Sequence, residues 1–78
     1  MEQKHTGMDP WEALRNAIVI QAAEDYRKSL QALKGNPDNY MNRQTKRECE
    51  DFFTSDWFKD LSEVSGVMIM KEIQKEEA

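Results

Sequence analysis

Apolar residues recur at steps of three and four along the first third of the chain, at Trp11, Leu14, Ile18, Ala22, Tyr26, Leu30 and Leu33. That spacing lines one face of an α-helix. Asp9 is a good N-cap, Pro10 fits the first helical position, where no amide hydrogen is needed, and Glu12 complements the helix dipole. No Gly or Pro follows until Gly35, so the pattern predicts a helix over about 10–34. Gly35 is a natural residue just past its end, and Asn36-Pro37 closes it while offering a cap for the next helix.

A second helix is expected over about 37–54. Its apolar face is narrow, made by Met41, Thr45, Cys49, Phe52 and Phe53, and Lys46/Glu50 and Arg47/Asp51 lace its outer side at i,i+4. Ser55 caps a short helix over 56–61, whose Trp57, Phe58 and Leu61 extend the aromatic cluster. Ser65 caps a last helix over about 66–75, with Glu76 and Glu77 frayed because acids are unfavourable at a helix C-terminus. The expected fold is all-α, a small bundle of three to four helices in a single helical domain spanning 9–78, behind a mobile lead-in at 1–8. Its expected core is Trp11, Leu14, Ile18, Tyr26, Leu30, Leu33, Phe52, Phe53, Trp57, Phe58, Leu61, Ile69 and Ile73.

Two stretches break the amphipathic rule. Ala17 to Ile20 and Val67 to Met70 are each apolar at four successive positions, and four successive helical residues sweep about 300° of the cylinder. Ile20 projects away from the centre of the first stripe, beside Ala13 and Arg27, and Val67 points away from Ile69 and Ile73. A bundle this small cannot cover both sides of both helices. Burying an aliphatic side chain is worth roughly 1.5–3 kcal/mol, so the excess favours self-association or capture of a partner. The expected oligomer or partner surface is Ile20, Arg27, Val67, Met68 and Met70. Single exposed aliphatics are common, so the Val67 to Met70 run carries more of this expectation than Ile20 does.

Composition narrows the function classes. With 78 residues the chain is one domain at most and short of core. Cys49 is the single cysteine, which rules out an internal disulfide and a multi-cysteine zinc site and suits a reducing cytoplasm. There is no apolar run of bilayer length, and the first ten residues lack the apolar core of a signal peptide. The net charge of −4 disfavours nucleic acid and anionic membrane. Basic residues on the first two helices (Arg27, Lys28, Lys34, Arg43, Lys46, Arg47) alternate with acids, and the last helix opens on Gly66, Val67, Met68 and Ile69, unlike a base-reading helix.

Catalytic chemistry finds no footing in these residues. His5 is the single histidine and falls in the expected lead-in, so no His-assisted nucleophile or helical Glu-x-x-His metal pair can be assembled. Cys49 sits among Glu48, Glu50 and Asp51, which raise a thiol pKa and argue for a structural cysteine. Those acids lack calcium-loop spacing, and Gly7, Gly35 and Gly66 are isolated, so no metal, cofactor or phosphate loop is expected. In Asp25-Tyr26-Arg27, Tyr26 belongs to the core stripe while Asp25 and Arg27 flank it.

With Gln21-Ala22, Asp25-Tyr26-Arg27, Asn36-Pro37, Leu61 and Gly66, the motif Phe52-Phe53-x-Ser55-x-Trp57-Phe58-x-x-Leu61 resembles a group of small uncharacterised proteins encoded in bacteriophages and prophages of Firmicutes. The resemblance covers about residues 17–73 and departs after Gly66, where a more polar residue is expected. It implies a phage origin and the bacterial host cytoplasm, and it names no reaction. The expected function is that of a non-enzymatic accessory protein, a homo-oligomer that binds a host or phage protein, with inhibition of a host defence system as one version. The alternatives are a nucleic-acid-binding regulator or replication accessory, and a small-ligand binder at a subunit interface.

Overall fold

Each helix begins at a side chain that takes up one of its unpaired amide hydrogens. In the computed structural model, which describes residues 9–78, the order is α1 (Pro10–Gly35), α2 (Tyr40–Phe53), α3 (Asp56–Leu61) and α4 (Gly66–Glu76). No strand occurs among the described residues, so the fold is all-α. Asp9 accepts from the Glu12 amide at 2.8 Å, Ser55 from Phe58 at 3.1 Å and Ser65 from Met68 at 3.4 Å. The expected lead-in at 1–8, with His5 and Gly7, lies outside the described residues.

The second helix starts later than its sequence suggests. Asn39, not Asn36, is the cap, accepting from the Asn42 amide at 2.9 Å. Residues 36–39 instead form a turn closed by the Asn39 amide on the Asn36 carbonyl at 3.1 Å, with Pro37 in the position where its fixed φ is an asset. Gly35 is the last residue of α1, and the Asn36 amide closes it by bonding to the Ala32 carbonyl. The α4 end is also tied down where fraying is expected. Glu76 pairs with Arg27 at 3.1 Å, and Glu77 meets Gln31 and Lys34, each at 3.2 Å.

These contacts set the directions of the helices. α2 folds back along the C-terminal half of α1, with Lys46 near Leu30 and Leu33 and Glu50 reaching Tyr26. α4 runs the same way as α1, from Ile69 beside Ala23 to Glu77 beside Lys34. At the centre, Tyr26, Cys49, Phe53, Phe58 and Ile73 form one buried cluster, and Leu61 is buried as well. Phe53 is its hub, with ring centroids 6.0 Å from Tyr26 and 5.5 Å from Phe58. Phe52 is half-buried beside it, and Ile18, Leu30, Leu33 and Ile69 are half-buried on its flanks.

Three expected core residues stand outside. Trp11, Leu14 and Trp57 are 57 %, 52 % and 57 % exposed. α1 has 26 residues and α2 has 14, about 39 Å against about 21 Å, so the α1 stripe runs on past the helices that could cover it. In α3, Phe58 and Leu61 at i,i+3 take the inward face, which turns Trp57 to the rim. Met70 is corrected the other way. Gly66, Ile69, Met70 and Ile73 share one side of α4, so Met70 packs against the core while Val67 and Met68 face outward.

Gly66 is buried because α4 starts against the end of α2. A Cβ there would overlap the Phe53 carbonyl, a backbone atom that cannot rotate aside. Gly66→Ala is expected to cost about 1–3 kcal/mol, the usual scale for forced overpacking. Tyr26→Phe, which removes the hydroxyl between Glu50 and Gln74, is expected to cost about 1–2 kcal/mol. Urea unfolding followed by circular dichroism checks both, and an unchanged midpoint in either variant contradicts the corresponding packing argument.

Candidate protein-binding surfaces

The rotation of α1 follows from Tyr26, which is fully buried and faces α2 and α4. Helical geometry then places two further faces on α1, one on each side of the buried one. One looks toward α4 and the other toward α3.

On the α4 side, Ala23, Arg27, Val64, Met68, Ile69 and Glu72 line a shallow groove between the helices. Ile20, 57 % exposed, stands on the same side of α1 as Ala23 and Arg27, one and two turns before them. Val64 also lines, with Val67, the adjoining hollow beside α3. The structure therefore brings Ile20, Arg27 and Met68 to one side, places Val67 on the other flank of α4 beside α3, and packs Met70 against the core. Arg27 crosses the groove to Glu76, so its charge is already paired. Val64 is an addition that the sequence pattern does not single out, because it lies between helices and belongs to no periodic face.

On the α3 side, Ala17, Ile18, Gln21, Ala22 and Asp25 form the floor of a second groove, with Phe52 and Trp57 as its wall. The T-shaped contact of Phe52 with Trp57, centroids 5.6 Å apart, holds that wall upright. Trp11 and Leu14 continue the same face toward the N-terminus of α1. Sequence periodicity finds these residues but misassigns them to the core, because it carries no information about where the covering helices end.

No cluster of three or more metal-ligating side chains occurs among the described residues, and no described helix is long and apolar enough to cross a membrane. Lys34 and Lys46 are paired with Glu77 and Glu50. Arg43 and Arg47 share the outer face of α2 with Tyr40 and Glu48, so an acid interrupts that basic stretch. No family model matches the chain, and no curated protein or solved structure matches it.

Cys49 is buried in the core cluster. Burial, then the carboxylates of Asp25, Glu48 and Glu50, push its thiol up to about 11 from an ordinary 9.0. The Tyr26 phenol is raised too, first by burial, with the Gln74 hydrogen bond opposing and Glu50 adding to the rise. Both groups bind their protons more tightly in the folded chain. Their contribution to stability is therefore complete below the unfolded pKa values and is lost as pH climbs through the folded ones. Urea midpoints are expected to hold between about pH 7 and 8.5 and to fall toward about pH 10.5, with Cys49→Ala showing a shallower fall. Equal slopes for the two proteins contradict this assignment.

Proposed function

We propose that this is a non-enzymatic accessory protein that acts by binding other protein chains, itself included. The observation that carries the reading is the pair of open apolar faces on opposite flanks of α1, in a chain whose core is already closed around Tyr26 and Phe53. Large apolar side chains grouped on a small domain favour contact with another chain over contact with water. The α1–α4 face, with Ile20, Val64 and Met68 beside the Arg27–Glu76 ion pair and Glu72, has the apolar centre and polar rim of an interface.

The Phe-Phe-x-Ser-x-Trp-Phe-x-x-Leu motif supports placing the protein among phage and prophage proteins, acting in the bacterial host cytoplasm on a host or phage protein. Antagonism of a host defence system is one version of that activity. Tagged protein exposed to an extract of a Firmicutes host is expected to retain a discrete partner. The purified partner should bind wild type at least tenfold more tightly than a Val64→Glu, Met68→Glu variant. Absence of any partner that binds in purified form overturns the reading.

A further inference from the structure

We infer that α1 pairs antiparallel with α1 of a second copy of this chain, across a two-fold axis near Ile18, each copy seating Trp11 and Leu14 in the other's groove between α1 and α3. The inference rests on the protein-binding reading above and names one of its partners, leaving the α1–α4 face for another protein.

The face is self-complementary along its own length. Its N-terminal half is a ridge, Trp11 and Leu14, each more than half exposed. Its C-terminal half is a hollow that opens beside Ala17 and Ile18, is floored by Ala22, and is walled by Phe52 and Trp57. A two-fold axis at Ile18 sets ridge against hollow twice, Leu14 opposite Ala22 and Trp11 opposite Asp25, as an isologous interface requires. The small side chains of Ala17 and Ala22 on either side of the axis allow the helices to approach closely. A foreign helix laid in the hollow leaves the ridge uncovered, whereas a second copy covers both.

Charge follows the same symmetry. Arg15 lies at the edge of the ridge, and its Nε is shielded from solvent with no hydrogen-bond partner among the described residues. Asp25 lies in the hollow, held by Gln21 at 3.0 Å. Helical side chains lean toward their own N-terminus, so in the antiparallel pair Arg15 of one copy and Asp25 of the other lean toward each other. Within one chain they are ten residues apart, about 15 Å along the helix, and cannot meet. At 57 % exposure, each tryptophan leaves about 140 Å² open, on about 250 Å² for the whole side chain. With Leu14, Ala17 and Ile18 added on both copies, the area stays somewhat below the lower bound of standard specific interfaces, about 1,200 Å² in total, the range of weak, reversible association.

Trp11 and Trp57 are the two tryptophans of the chain, so their emission reports on this face. Sedimentation equilibrium between about 1 and 200 µM is expected to show a monomer–dimer equilibrium, with emission shifting to the blue as dimer forms. Leu14→Glu should weaken the dimer at least tenfold without loss of helical circular dichroism, since Leu14 is half exposed in the single chain. Arg15→Glu and Asp25→Arg should each weaken it several-fold, and the double variant should restore it. A monomer throughout, with unshifted emission, overturns the dimer and leaves the protein-binding reading to its own capture test. A dimer that survives Leu14→Glu but not Met68→Glu overturns this face and leaves self-association standing. Failure of the charge swap to restore the dimer overturns the antiparallel register.

Discussion

The Tyr26 hydroxyl donates to Glu50 on α2 at 2.8 Å and accepts from Gln74 on α4 at 2.8 Å, so one buried polar atom joins three helices. Its ring meets Phe53 edge-on. A buried hydroxyl without partners is costly, and a paired one specifies a single arrangement. Both partners are needed because one fixes α2 and the other fixes α4 against the same point on α1. The rotation of α1 follows from this bridge. Leu14 and Ile20 lie about 120° from Tyr26 on its two sides, so burying Tyr26 opens a face toward α3 and another toward α4. The close approach of Gly66 to the Phe53 carbonyl then holds α4 at the height where Gln74 can reach.

Local signals in the sequence locate the helices well, because caps act over three residues and periodicity over one or two turns. Asp9, Ser55 and Ser65 each mark a helix start that the structure keeps. Asn36 fails as a cap because the run Asn36-Pro37-Asp38-Asn39 offers two caps and a turn, and the turn wins. Burial is less legible. Tyr26, Phe53, Phe58, Leu61 and Ile73 are readable as core because apolar periodicity coincides with a covering element. Trp11 and Leu14 carry the same periodicity without that cover, and the length mismatch of α1 and α2 appears only in three dimensions. The part played by Gly66 is equally hidden, since an isolated glycine does not announce which backbone will lie against it.

The chain is too short to hide what α1 exposes, and its polar pairs do not change that balance. The ion pairs Lys59 with Asp56 and Lys75 with Glu72 lie on open surface, where such pairs are worth little. The pairs joining α4 to α1, Arg27 with Glu76 and Lys34 with Glu77, do more for geometry than for energy by keeping the α4 end in register. The principal stabilising term is then the burial around Phe53, in a domain size where a single core supplies only a few kcal/mol. The open faces of α1 are where further apolar burial is available.

The two faces of α1 differ in what they could accept. The α3-side face pairs a ridge with a hollow of matching length, and that form suits a copy of itself. The α4-side face has no such internal match: its apolar residues come from α1, α4 and the connection at Val64, and its charges are already paired, Arg27 with Glu76 and Glu72 with Lys75. On the proposed reading, a partner there needs mainly apolar side chains shaped to a shallow groove. Because α1 is one continuous helix running beneath both, a partner on either face stabilises the folded chain by mass action without blocking the other. On the proposed reading, self-association supplies the burial a chain of this size lacks, and the opposite face is left to choose the target.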